Sequence, residues 1–109
     1  MAIPKTEASA GLRLRFAENA IALRDRAGLS QTMAAERADL HISHISLLER
    51  GLRLPLLDTI VKLAGAFEAE PCELLSGMTW QLADTRRRPG AYILRPGFEV
   101  EVIEEVERA

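Results

Sequence analysis

Cysteine and aromatic residues are scarce in this chain of 109 residues, which has one cysteine, Cys72, and 5% aromatic residues. A single cysteine cannot form an internal disulfide, and the cysteine spacings typical of structural zinc sites are absent. No apolar run approaches the roughly 18–20 residues that a membrane span requires. Residues 1–10 also lack the apolar segment of a secretory signal. We therefore expect a cytoplasmic protein without membrane contact, with residues 1–10 as a flexible leader.

Features that would indicate an enzyme or a metalloprotein are missing as well. The sequence has no glycine-rich phosphate-binding loop, and no serine or cysteine nucleophile beside a plausible base. His41 and His44 have the spacing of a two-point metal site, but no third ligand lies near them in the sequence. We therefore expect no enzymatic activity, no cofactor and no metal ion.

The composition, with 48% apolar and 28% charged residues, is typical of one globular domain. The formal net charge is −2, but it is unevenly distributed. Residues 11–53 contain seven basic and five acidic residues, a net charge of +2, whereas residues 97–109 contain five glutamates and one arginine, a net charge of −4. The acidic C-terminal residues thus mask a mildly basic N-terminal half, so the overall charge does not exclude nucleic acid.

Five segments of the chain are predicted to be helical, from apolar residues at helical spacing, from residues that favour helices, or from residues typical of helix ends. The first segment ends with Arg24 and Arg26 before Gly28, and cations followed by glycine are typical of a helix C-terminus. Ser30 is a suitable N-cap for the second helix, and Gly51 closes the third. The predicted helices span residues 12–27, 31–38, 42–50, 57–67 and 71–75.

A different pattern begins at Trp80. Residues 84–90 are predicted to form a basic loop, and the alternation that follows predicts two short strands, residues 92–94 and 98–102. An isolated hairpin is marginal in water, so it must pack on the helices, on Trp80 or on a second copy of the chain. The arginines at 86–88 are solvated, paired with the acidic tail, or in contact with nucleic acid. The candidate dimer or partner surface comprises Trp80, Tyr92, Phe98, Val100 and Val102.

Two of the predicted helices, residues 31–38 and 42–50, are separated by three residues, which is the proportion of a helix-turn-helix. Many helical bundles contain such neighbours, so the residues around them carry more information. The segment has Leu29-Ser30-Gln31, then Ala35, then Ile45-Ser46 followed by Glu49, Gly51 and Pro55. In order and spacing this pattern resembles the XRE family, which has the fold of the lambdoid phage repressors and Cro. The resemblance covers residues 12–75.

The resemblance implies a mainly α fold, with a five-helix, repressor-like helix-turn-helix domain at residues 11–79. The strand pattern after Trp80 adds a short C-terminal β-hairpin extension at residues 80–109. It also implies that the helix at 42–50 enters the major groove of double-stranded DNA, while the helix at 31–38 crosses the phosphate backbone. The residues then expected near base edges are His41, Ile42, Ser43, His44 and Leu47. Those expected near phosphates are Ser30, Gln31, Thr32, Ser46, Arg50 and Arg53.

By the same similarity, Arg24 and Glu49 are expected to form an ion pair beneath the recognition helix, the alternative being two solvated charges. Three positions named here, Ile42, Leu47 and Asp39, depart from the family pattern. Ile42 and Leu47 stand where these repressors often carry a hydrogen-bonding residue, and an apolar side chain can contact a thymine methyl but makes no bidentate base contact. Asp39 replaces the usual turn glycine, and aspartate tolerates the left-handed conformation better than most residues.

We therefore expect a sequence-specific, DNA-binding transcriptional regulator, and specifically a repressor that binds a pseudo-palindromic operator as a homodimer. The alternative is a DNA-binding antitoxin, in which the extension after Trp80 contacts a toxin protein. Both hypotheses require double-stranded DNA as a partner, and they differ in what the C-terminal extension binds.

Overall fold

This computed structural model describes residues 9–82 and 90–94, which contain five helices and two strands. The helices are α1 (Ala10–Arg26), α2 (Gln31–Ala38), α3 (Ile42–Glu49), α4 (Leu57–Phe67) and α5 (Pro71–Leu74). The strands are β1 (Met78–Gln81) and β2 (Ala91–Leu94). The prediction of a mainly α fold with five helices and a small hairpin is confirmed. No helix in this part of the chain is long and apolar enough to cross a membrane.

The short helices of the central motif begin and end at residues suited to those positions. Ser30 caps α2, since its Oγ accepts a hydrogen bond from the Met33 N–H at 3.1 Å. Asp39 follows α2 in the left-handed conformation, with φ of 56°, at the position where the family usually has glycine. Gly51 follows α3 with φ of 72°, a conformation that glycine adopts without steric cost. With these residues at the helix ends, only residues 39–41 lie between α2 and α3.

One apolar core joins the five helices. Ile45 and Leu48, both 1% exposed, face this core from α3, as the sequence predicts. Small residues on α2 allow that helix to lie close to α3 and α4, because Ala34, Ala35 and Ala38 are all buried. The largest fully buried apolar side chains are Phe16, Leu23, Ile45, Leu48, Leu63 and Leu74.

The hairpin differs from the predicted one in its strand pairing. Tyr92 and its neighbours do form a strand, but β2 pairs antiparallel with β1, with Trp80 opposite Tyr92 and Met78 opposite Leu94. The sequence pattern does not predict the pairing of β2 with β1, because local alternation does not encode which distant strand a segment joins. The other expected strand, residues 98–102 with Phe98, Val100 and Val102, lies outside the described residues, as do the arginines at 86–88 and the leader residues 1–8.

The hairpin is attached to the helical core through β2. Ile93 and Leu94 are buried, and β2 packs against α1. The Trp80 and Tyr92 rings meet edge to face, with their centroids 5.1 Å apart. Gly90 lies directly against the Trp80 indole, so a larger residue there would displace the ring. The two strands are thus an integral part of the fold.

A buried asparagine, which the sequence pattern does not single out, fixes the turn between α5 and β1. Asn19 on α1 is 1% exposed, and its Nδ2 donates to the carbonyl oxygens of Leu74 at 3.0 Å and Ser76 at 2.9 Å. These two bonds satisfy both amide hydrogens. They also hold the start of the hairpin against α1.

Replacing Asn19 by aspartate should destabilise the fold strongly. The carboxylate keeps the shape of the amide but has no hydrogen to donate, so two carbonyl oxygens lose their partner and face a negative charge. We expect the free energy of unfolding to fall by about 3 kcal/mol or more, measured by urea denaturation. The control is Gln81→Glu, the same amide-to-carboxylate change at an exposed residue, which should stay within about 0.5 kcal/mol. Equal effects of the two substitutions would contradict the role assigned to Asn19.

Candidate nucleic-acid interface

The outward face of α3 carries the residues that the sequence assigns to base reading. The helix is eight residues long, and its inward face is formed by Ile45 and Leu48. His41, Ile42 and Ser43 at its N-terminal end are exposed, and Ile42 leaves 42% of its surface in solvent. His44 and Leu47 are half-buried further along the helix. The five candidates thus lie at the N-terminal end of α3 and on the sides that Ile45 and Leu48 do not occupy, and they are His41, Ile42, Ser43, His44 and Leu47.

The structure gives His41 a capping role that the sequence pattern does not predict. It is the N-cap of α3, and its Nδ1 accepts a hydrogen bond from the Ser43 N–H at 3.3 Å. The same Nδ1 lies 2.9 Å from the Ser43 Oγ. The only sequence signal for this role is the position of His41 immediately before the helix.

The candidates for phosphate contact lie at the beginning of α2 and after α3. Ser30 and Thr32 are exposed at the N-terminus of α2, where unpaired backbone N–H groups favour an anion. Arg50 and Arg53 follow α3, are exposed, and pair with no carboxylate in the described part of the chain. Ser46 is half-buried on α3. The cations nearest the outward face of α3 are thus available to a phosphate.

Gln31 has an internal partner. Its Nε2 donates to the Oε1 of Glu49 at 2.9 Å, and the residue is half-buried. At least one amide hydrogen of Gln31 is therefore used within the protein. The sequence predicts Gln31 as a phosphate ligand but does not predict this bond to Glu49.

The Glu49 carboxylate lies at the centre of a network that links three helices. Arg24 on α1 binds it through two parallel bonds, Nε to Oε2 at 2.7 Å and Nη2 to Oε1 at 3.0 Å. The third guanidinium nitrogen, Nη1, donates to the Leu29 carbonyl oxygen at 2.8 Å. The Glu49 side chain is only 5% exposed. The expected pair between Arg24 and Glu49 is thus an internal one, and Gln31 extends it to α2.

This arrangement stabilises the charged form of the arginine. The hydrogen bonds to Glu49 raise the pKa of Arg24 above its ordinary value, against the opposing effect of burial, and the charges of Glu49 and Asp25 act in the same direction. Arg24 therefore stays protonated at every pH at which the protein is handled. The arginine and the carboxylate balance each other's charge beneath the outward face of α3.

Neutralising Glu49 should test how much the network contributes. Glu49→Gln keeps the side-chain shape but leaves the Arg24 charge without its buried partner, so we expect unfolding to require about 3 kcal/mol less free energy. The matched control is Glu18→Gln, because Glu18 pairs with Arg15 while 66% of its side chain is exposed. That change should cost about 1 kcal/mol or less. Urea denaturation of both variants measures the difference, and equal losses would show that the buried network is not special.

Among residues 9–82 and 90–94, no group of three or more histidine, cysteine, aspartate or glutamate side chains lies close enough to hold a metal ion. His41 and His44 can still contact a ligand through hydrogen bonds, because each imidazole carries a donor and an acceptor when neutral.

Comparisons with known proteins identify the motif. A helix-turn-helix family model matches residues 21–74. The control protein C.BamHI of Bacillus amyloliquefaciens is 36% identical over 69 residues, which are 62% of this chain and 85% of that protein. The crystal structure of the restriction-modification controller protein C.AhdI from Aeromonas hydrophila is 38% identical with a TM-score of 0.57, covering 59% of this chain and 97% of that one.

A hypothetical transcription factor from Neisseria, NHTF, has a similar structure, with 28% identity, a TM-score of 0.57, and coverage of 69% of this chain and 83% of that one. The matched segment contains both helices of the motif and the network around Glu49. The chain belongs to the XRE-type helix-turn-helix family of DNA-binding transcriptional regulators.

Proposed function

We propose that this protein is a repressor that acts in the cytoplasm, binding a pseudo-palindromic operator as a homodimer and thereby excluding RNA polymerase. The observation that carries the proposal is the outward face of α3. It combines exposed hydrogen-bonding and apolar side chains with two exposed arginines at its C-terminal end, over a helix whose opposite face is locked into the core. Such a face suits a major groove, which admits one helix and presents base edges and thymine methyl groups to it.

In this arrangement some residues contact bases and others contact phosphates. Ser43 and His44 offer hydrogen bonds to base edges, and Ile42 and Leu47 offer apolar contact to thymine methyl groups. Ser30, Thr32, Arg50 and Arg53 neutralise or bind phosphates on either side, which positions α3 without reading sequence. Gln31 and Ser46 are placed to add further phosphate contacts at the edges of the groove.

A patch of exposed apolar side chains supports a homodimer. Immediately after α3, the chain exposes a series of leucines that continues onto α4, where Leu57 and Val61 are 76% and 53% exposed. Leu57 and Val61 are four residues apart and therefore lie on the same face of α4. We call this set the leucine patch, and it comprises Leu52, Leu54, Leu56, Leu57 and Val61.

The position of the leucine patch fits a twofold axis. A self-complementary contact through this patch would bring the C-terminal ends of two copies of α3 towards each other. Two recognition helices related in this way would reach successive major grooves, which are about 34–36 Å apart on one side of the DNA. The hairpin surface at Trp80 and Tyr92, which the sequence predicts as a dimer or partner surface, remains the competing location.

The relatives named above are controllers and transcription factors, so the alternative function as an antitoxin is not favoured. Two of them are described as control or controller proteins, one of a restriction–modification system. We propose, by this similarity, that the operator lies upstream of the protein's own gene or of genes beside it.

DNA binding is tested by fluorescence anisotropy on the DNA upstream of the protein's own gene, against a scrambled duplex of equal length, at about 150 mM salt. The wild-type protein should bind the upstream duplex selectively. Changing Ser43 and His44 together to alanine should abolish most of the discrimination between the two duplexes, because the base contacts are lost. Equal binding of both duplexes by the wild-type protein would contradict the proposal.

The phosphate contacts give a different result in the same assay. Arg53→Ala should weaken binding to both duplexes alike and reduce the slope of log K against log salt by about one unit per subunit. The control is Arg26→Ala, since the Arg26 guanidinium is held by Glu73 at 3.1 Å and lies on α1. That variant should keep the wild-type slope. An unchanged slope for Arg53→Ala would remove this residue from the interface.

The dimer is tested by sedimentation equilibrium. Changing Leu57 and Val61 together to serine should weaken self-association by about 100-fold or more, because each apolar side chain is buried twice in a symmetric contact. Trp80→Ser, a change at an exposed apolar residue on the hairpin, should leave the dimer intact. If Trp80→Ser gives the monomer instead, the hairpin is the interface. A wild-type protein that stays monomeric on its operator would contradict a dimer of either kind.

A further inference from the structure

The hydrogen bonds between His41 and Ser43 fix which partners the reading face of α3 can accept. His41 Nδ1 accepts from the Ser43 N–H. A ring nitrogen that accepts a hydrogen bond carries no proton, so in the neutral imidazole the proton lies on Nε2. The tautomer of an exposed histidine at the entrance of the groove is thus set by the backbone of the helix that it caps.

The tautomer in turn orients the serine hydroxyl. Ser43 Oγ lies 2.9 Å from the same Nδ1, which carries no proton and can therefore only accept. In this contact the Ser43 hydroxyl donates its hydrogen, so the N–H and the O–H of Ser43 share the one lone pair of Nδ1. A free serine can donate or accept, but this one keeps only the two lone pairs of Oγ for a further partner.

The major groove distinguishes donors from acceptors. Adenine N6 and cytosine N4 are amino groups that donate, whereas thymine O4 and guanine O6 are carbonyl oxygens that accept. We propose that Ser43, with its hydroxyl hydrogen held by His41, is a specificity-determining residue that selects an amino-bearing base, adenine or cytosine, on the strand it faces. His41 is a positioning residue for this choice.

This inference rests on the proposed binding of α3 in the major groove, and it adds the direction of one hydrogen bond. Every base pair has an amino group on one strand and a carbonyl on the other at this level of the groove. The rule therefore decides the orientation of one base pair, A·T against T·A or C·G against G·C. His41 is exposed, and its Nε2–H is a hydrogen-bond donor, whereas Ser43 Oγ is an acceptor. This donor is suited to a phosphate oxygen or a purine N7.

The experiment begins with selection of tight-binding duplexes from a randomised pool by the full-length protein. The position that Ser43 reads is the one whose base preference relaxes in Ser43→Ala. At that position the amino group is then deleted, using purine in place of adenine or 2-pyrimidinone in place of cytosine. The wild-type protein should lose about tenfold in affinity, the size of one hydrogen bond, and Ser43→Ala should lose nothing further.

His41→Gly separates orientation from helix capping. Glycine costs a helix N-cap only a few tenths of a kcal/mol, so α3 keeps its first turn, but it has no side-chain acceptor, so the Ser43 hydroxyl is released and can donate. Reversing the base pair at the position should cost the wild-type protein about tenfold, and should cost His41→Gly about threefold or less. Thr32→Ala, a phosphate-contact variant, is the control and should weaken binding to both orientations equally. Circular dichroism checks that helix content is unchanged.

The outcomes separate the two levels of the proposal. A pool that the wild-type protein does not enrich would overturn DNA reading by α3 and this inference with it. Enrichment with no position that relaxes in Ser43→Ala would overturn the inference alone. The same holds if deletion of the amino group costs the wild type and Ser43→Ala equally, or if His41→Gly discriminates pair orientation as well as the wild type does.

Discussion

The orientation of the recognition helix depends on one buried carboxylate. Glu49 is almost fully removed from solvent, and a carboxylate in that position costs several kcal/mol unless it is paired and hydrogen-bonded. Arg24 and Gln31 meet that requirement from two other helices. Since α2 and α3 are each eight residues long, they are too short to be stable alone. Their mutual angle is therefore set by this charge network together with the apolar core beneath it.

Ion pairs within the fold, both in this network and outside it, also shape the electrostatics of the surface. Several arginines of the N-terminal half are committed to carboxylates within the fold, so they add little positive potential for DNA. The cations that follow α3, Arg50 and Arg53, are exposed and lie beside the outward face of that helix. A protein with a net charge of −2 can thus present a basic edge where it is needed. The arginines committed to carboxylates are Arg15, Arg24, Arg26 and Arg37.

Much of the helical domain could be predicted because its signals are local. Ser30 at an N-cap, Asp39 in a turn, and apolar spacing at Ile45 and Leu48 each report on their own few residues. The pairing of β1 with β2 could not be predicted, because the two strands join across a connection of nine residues and neither encodes the other. The exposure of the leucine patch also could not be predicted from the sequence. Apolar residues between two helices look like core until the path of the chain is known.

The candidate site divides in the same way. Family spacing predicts which residues lie on α3 and which pair beneath it, and the structure brings Arg24 and Glu49 together as expected. The capping role of His41 and the bond from Gln31 to Glu49 depend on rotamers and on distances of a few ångströms. Such details follow from three-dimensional packing, so a sequence pattern does not contain them.

The division of roles along α3 has an evolutionary consequence. Of its eight residues, Ile45 and Leu48 serve the core and Glu49 serves the charge network. The remaining positions lie outside the core, exposed at Ile42 and Ser43 and half-buried at His44, Ser46 and Leu47, so substitutions there should cost less stability than at Ile45 or Leu48. A lineage carrying this scaffold could exchange one DNA target for another in a few substitutions, while the domain that presents them stays the same.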